Sequence, residues 1–131
     1  MGLKILNIFI NTLALAIICL LFFLSLDSFT EHKSLSENLT AFAIHNLPTI
    51  FISLICVAGL NKPLIGSFGF TIGASIYICM MTRIFIKEGI GWKFLPGILL
   101  FCFLPLLIAF LYLLKWFILR KNYINKPIKN L

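Results

Sequence analysis

The sequence predicts an all-α integral membrane bundle of four transmembrane helices, with a short amphipathic outer segment between the first two. Three observations predict it. Hydrophobic residues make up 61% of the 131 and charged residues only 11%, with a mean hydropathy of +1.08. A soluble domain carries about 45–50% apolar and about 25% charged residues. Too few charges remain here to cover a soluble globule of this size, which excludes a soluble enzyme, a disordered tail and a nucleic-acid-binding domain. Four apolar runs also reach the length, roughly 20 residues, that crosses hydrocarbon. Their backbone must be helical, because an open sheet edge finds no partners in lipid. Residues 1–131 are therefore expected to form a single membrane domain.

The first span is expected at 5–26. Lys4 precedes it, but the stretch exceeds a signal-peptide h-region and no A-x-A-like site follows, so it is read as a retained span. Residues 27–42 form the outer segment, where Ser34-Leu35-Ser36-Glu37 fits a capping box. Leu35, Leu39 and Phe42 recur at helical spacing and would lay one face along the membrane surface. The second span is expected at 43–60, with a kink at Pro48, which has no N–H to give. Asn61-Lys62-Pro63 is so short a link that spans two and three must be an antiparallel hairpin. Pro63 suits the first turn of span three, expected at 63–86. Gly89 and Gly91 mark a tight turn within Lys87–Lys93. The fourth span is expected at 94–117, bracketed by Trp92 and Trp116 about 36 Å apart and kinked at Pro105. A basic tail, 118–131, follows.

The net charge is +7, and five of the eleven basic residues (Lys115, Arg120, Lys121, Lys126, Lys129) fall in the last 17 positions. There they read as a cytoplasmic anchor. With both termini on one side, that side holds seven basic residues and the other holds four (Lys33, Arg83, Lys87, Lys93). The bias predicts cytoplasmic termini, and the Ile-, Phe-, Lys- and Asn-rich composition suggests a bacterial cytoplasmic membrane. Cys19, Cys56, Cys79 and Cys102 each sit in a different apolar run without C-x-x-C pairing. They read as small hydrophobes rather than a disulfide or zinc site.

Several polar or small residues invite a functional reading. On span three, Gly66, Gly69 and Gly73 accompany Ser67, Thr71 and Ser75 at four-residue spacing. The Gly69-x-x-x-Gly73 pair lets a helix approach closely, and the hydroxyls suit bonds across such a contact. Packing within the bundle is the favoured reading, a homodimer face the sharper one. Asn7 and Asn11 share a face of span one, where interhelical hydrogen bonding is the default because an unpaired amide is costly in lipid. Asp27 ends span one and His45 begins span two, so both are expected near the outer interface. A polar staple between helix ends is the default for this pair. Proton coupling, or a metal held with Glu31, His32 or Glu37, is the alternative. No acid lies inside a span, and no H-E-x-x-H, Ser/His/Asp set or glycine-rich phosphate loop is present.

Leu26-Asp27-Ser28-Phe29, His45-Asn46-Leu47-Pro48-Thr49 and Pro63-Leu64-Ile65-Gly66 together make the chain resemble a family of small bacterial membrane proteins. That family is catalogued as a domain of unknown function. It is marked by an L-D-x-F exit from span one and an H-x-x-P-T entry to span two. The likeness extends from about Leu21 to Phe117. It implies a four-span architecture and points to Asp27, His45 and Pro48 as signature positions, and it implies no activity. Where the family often has an A-W-K hairpin, this chain reads Ala58-Gly59-Leu60-Asn61-Lys62.

The functional expectation is a non-enzymatic accessory or structural membrane component without cofactor or metal. Its partners would be the lipid bilayer and another membrane protein or a second copy of itself, with no nucleic acid. The alternative is an oligomeric small transporter or channel subunit drawing on Asn7, Asn11, Asp27 and His45.

Overall fold

The computed structural model describes residues 2–29, 34–88 and 95–124. All the regular structure within them is helical: α1 (Leu3–Leu26), α2 (Leu35–Asn61), α3 (Pro63–Glu88), α4 (Leu95–Ile98), a π-helical turn (Leu99–Phe103) and α5 (Leu104–Ile124). The last three run on as one rod. Four helices are long and apolar enough to cross a membrane, and the chain is a four-helix membrane protein. Residues 89–94, where the tight turn is expected, with Trp92, the residues Glu31, His32 and Lys33, and residues 125–131, with Lys126 and Lys129, lie outside the described residues.

The helices close into a ring in which α1 packs on α2 and α5, and α3 packs on the same two. Leu6, Ile10, Ala14 and Ile17 put one stripe of α1 inside, the spacing at which a helix presents a single face. Phe70 and Ala74 of α3 and Ile108, Ala109, Leu111 and Tyr112 of α5 complete the core. Most other large apolar side chains, such as Ile8, Phe23, Leu54, Phe68 and Phe110, are exposed. That arrangement suits a bundle whose solvent is hydrocarbon.

The capping box forms as expected. The Ser34 hydroxyl accepts from the Glu37 amide at 3.3 Å, and the Ser34 amide donates to the Glu37 carboxylate at 2.9 Å. The helix it starts is α2 itself, which continues unbroken through Pro48 to Asn61. The outer amphipathic segment is therefore the first turns of the second span. Pro105 acts through its neighbours: with no N–H to donate, it follows a π-helical turn in which the Leu104 amide donates five residues back, to Leu99. α5 runs on to Ile124, so the start of the expected tail is helical.

Candidate functional site

The two ends of the bundle are built differently. At the end where α1 starts, α5 finishes and the α2–α3 hairpin turns, the Tyr112 ring lies against Gly59 of α2 and Gly66 of α3. A Cβ on either glycine would meet that ring at 2.9 Å. Tyr112 stacks with Phe70 at 6.0 Å and is only 1% exposed. One turn on, the Lys115 ammonium donates to the Leu60 carbonyl at 2.9 Å and lies 6.0 Å from the Tyr112 ring centre. The break at Lys62-Pro63 strips the last α2 carbonyls of helical donors. Ala58 recovers the Lys62 amide, and Lys115 supplies Leu60. A cation at a helix C-terminus also meets the negative end of its dipole. Lys115, expected in the basic anchor, is thus 5% exposed and caps a neighbouring helix.

At the other end α2 and α3 part. Gly69 is the last close approach: a Cβ there would lie 2.5 Å from Ile55 Cγ2. One turn further, Gly73 has nothing within 4 Å. Beyond it opens an apolar cleft of about 590 Å³. Its back wall includes Ile17, Phe70 and Pro105, and its rim is set by Leu47 and Phe51 of α2 and Ile76 and Met80 of α3. These rim residues are exposed, so the cleft opens sideways between the two helices. Tyr77 packs on Phe101 of the π turn at 5.0 Å. Its hydroxyl comes within 3.1 Å of where a Cβ on Gly97 would stand.

The polar residues singled out from the sequence fall around this framework. Asp27 and His45 are both exposed and make no hydrogen bond or ion pair with each other. The His45 Nδ1–H donates to the Ala41 carbonyl on its own helix at 2.9 Å. The contact between the end of α1 and the start of α2 is aromatic: Phe29 of the first motif lies 5.4 Å from Phe42, one turn before the second motif, and Phe42 also meets Phe22 edge-on at 6.0 Å. The second motif straddles α2. Leu47 and Pro48 face the cleft, while Asn46 and Thr49 line a smaller recess of about 370 Å³ with Phe22 and Ser53. Asn46 Oδ1 and Thr49 Oγ1 are buried there without hydrogen bonds.

Thr71 and Ser75 sit on the outer face of α3, and their hydroxyls donate four residues back, to the Ser67 and Thr71 carbonyls, both at 2.9 Å. They bond along their own helix rather than across a contact. Asn7 Oδ1 is buried without a partner, and Asn11 is exposed. All four cysteines are free, Cys102 buried and Cys19 and Cys79 exposed. Among the described residues no three His, Cys, Asp or Glu side chains gather as metal ligands.

Lys115, Tyr112, Gly59 and the cleft were missed by sequence reasoning. The signal for the first two was the i, i+3 spacing that sets Tyr112 and Lys115 on one face. A family model described as Domain of unknown function (DUF7670) matches residues 4–125, in keeping with the resemblance read from the motifs. No curated protein and no solved structure matches the chain.

Proposed function

We propose, from the premise that this chain belongs to the DUF7670 family, that it is a non-enzymatic accessory component of a membrane assembly that recognises its ligand or partner from within the bilayer. The observation that carries this reading is the lateral cleft between α2 and α3. One end of the bundle is laced by Tyr112 and Lys115, while the other presents a concave, apolar surface to hydrocarbon. Concave apolar sites of about 300–1,000 Å³ are where proteins hold small ligands. The motif His45-Asn46-Leu47-Pro48-Thr49 contributes Leu47 and Pro48 to that surface. Seven basic residues on the side of the termini against four on the other support cytoplasmic termini, and the Ile-, Phe-, Lys- and Asn-rich composition supports a bacterial cytoplasmic membrane.

Native mass spectrometry after gentle extraction tests the reading. A complex with a different membrane protein, or a retained apolar ligand, supports it. A bare monomer that carries neither overturns it. The second reading, an oligomeric transporter or channel subunit, is favoured by the unpartnered Asn7 Oδ1 one turn from exposed Asn11. A homo-oligomer that dissociates on Asn7→Leu or Asn11→Leu replacement would select it.

A further inference from the structure

The depth of the cleft bears on what it could hold. Arg83 is 20 residues along α3 from Pro63, about 30 Å at 1.5 Å per residue, which is the thickness of the hydrocarbon core. With Pro63 at one boundary of the hydrocarbon, Arg83 stands at the other, from which its long side chain reaches the phosphates. Gly73 lies halfway, near the midplane. The α3 wall of the cleft runs from Met80 down past Gly73 to Phe70, and Gly69 with Ile55 closes its floor. It therefore spans the depth of one leaflet, the reach of a single acyl chain.

A second, shallower groove of about 380 Å³ shares Ile76 and Met80 with the cleft and ends at Arg83. Arg83 is exposed there. A cation at the headgroup level beside a chain-sized slot is complementary to a phosphate carrying a hydrocarbon tail. A transmembrane helix fits less well. With side chains it is about 10 Å across, and the cleft narrows to the close approach of Gly69 and Ile55 at its floor.

We propose that the α2–α3 cleft binds one anionic phospholipid of that leaflet, an acyl chain lying between Gly73 and Met80 and the phosphate held by Arg83. This rests on the cleft being the working surface and names the ligand class for it. The tail gives affinity by filling a dry concavity, and Arg83 gives headgroup preference.

The test is native mass spectrometry of delipidated protein titrated with phosphatidylglycerol or with phosphatidylcholine of identical chains. One tightly held phosphatidylglycerol per chain is expected, with about a fivefold preference over phosphatidylcholine, the value of one basic residue near an anionic headgroup. Arg83→Gln should abolish the preference while leaving tail binding. Gly73→Leu should abolish tight binding of both lipids; its side chain enters open space, so the fold is retained. Met80→Trp at the exposed rim is a second blocker and should act likewise.

Equal affinity for the two headgroups, or a preference untouched by Arg83→Gln, overturns the anionic lipid. Tight binding that survives both blockers moves the lipid out of the cleft and overturns the proposal too. A dimer cross-linked through the rim residues also overturns it, by giving the cleft to a second copy. The accessory reading fails separately, if the natively extracted protein carries neither partner nor ligand.

Discussion

Three glycines of α3 that look equivalent along the sequence do three different things. Gly66 makes room for the Tyr112 ring, Gly69 for Ile55, and Gly73 for nothing but the cleft. Gly66→Ala should therefore destabilise the bundle by about 1–3 kcal/mol through overpacking, an effect that Tyr112→Ala in the same chain would largely remove. Gly73→Ala, whose Cβ meets open space, should be neutral or stabilising by up to about 1 kcal/mol. Unfolding in a denaturing detergent series checks both, and equal costs at the two positions would contradict the asymmetry. Lys115→Met removes the donor to the Leu60 carbonyl and should cost about 1–2 kcal/mol in the same assay. The sequence displayed the small residues but not their division of labour. A glycine records only a missing side chain, and what fills the space is decided by the neighbouring helix. Lys115 was hidden for a related reason: a lysine near a span end serves equally as a snorkelling anchor or an inward cap, and helix rotation chooses between them.

Among the elements, local chemistry was legible where it acts over one turn. The Ser34–Glu37 capping box is an example, since both partners lie within four residues. Ser34→Ala should cost about 1 kcal/mol and speed amide exchange over residues 35–40. The two interior prolines show where local reading stops. Each removes one N–H, yet α2 passes Pro48 as a continuous helix while the rod containing Pro105 has a π turn just before it. Restoring an amide by Pro105→Ala should let this turn revert to α-helix and slow exchange across residues 99–104 by about fivefold, one recovered hydrogen bond. The reversion would also shift Phe101 against Tyr77 at the back of the cleft. Unchanged exchange would detach the π turn from the proline. The Asp27–His45 pairing illustrates the same limit: proximity of two helix ends was readable, but Phe29 and Phe42 make the contact.

For the molecule as a whole, hydropathy summed over some 20 residues carried the architecture, because spanning hydrocarbon is a property of composition and length. The antiparallel hairpin of spans two and three followed from the short Asn61-Lys62-Pro63 link, whereas the closure of α1 on α5 into a ring is a finding of the structure. The cleft did not follow either, since it exists only through the divergence of α2 and α3 above Gly69. Single-cysteine labelling at residues 2 and 122, in a background where the native cysteines are replaced by alanine, should find both on the same, cytoplasmic face. Opposite sides would break the four-span topology, and two external labels would reverse the orientation. The lacing at the hairpin end also has a consequence in time. Lys115 and Leu60 are 55 residues apart, an interval of about 3–11 s at common rates of synthesis. For those seconds the end of α2 is served by interfacial water, and the bundle is complete only when its last helix arrives to replace that water with an ammonium. The closing contact at that end is therefore made by the last helix: until the hairpin is standing Lys115 snorkels to the interface, and only then can it turn inward to cap α2.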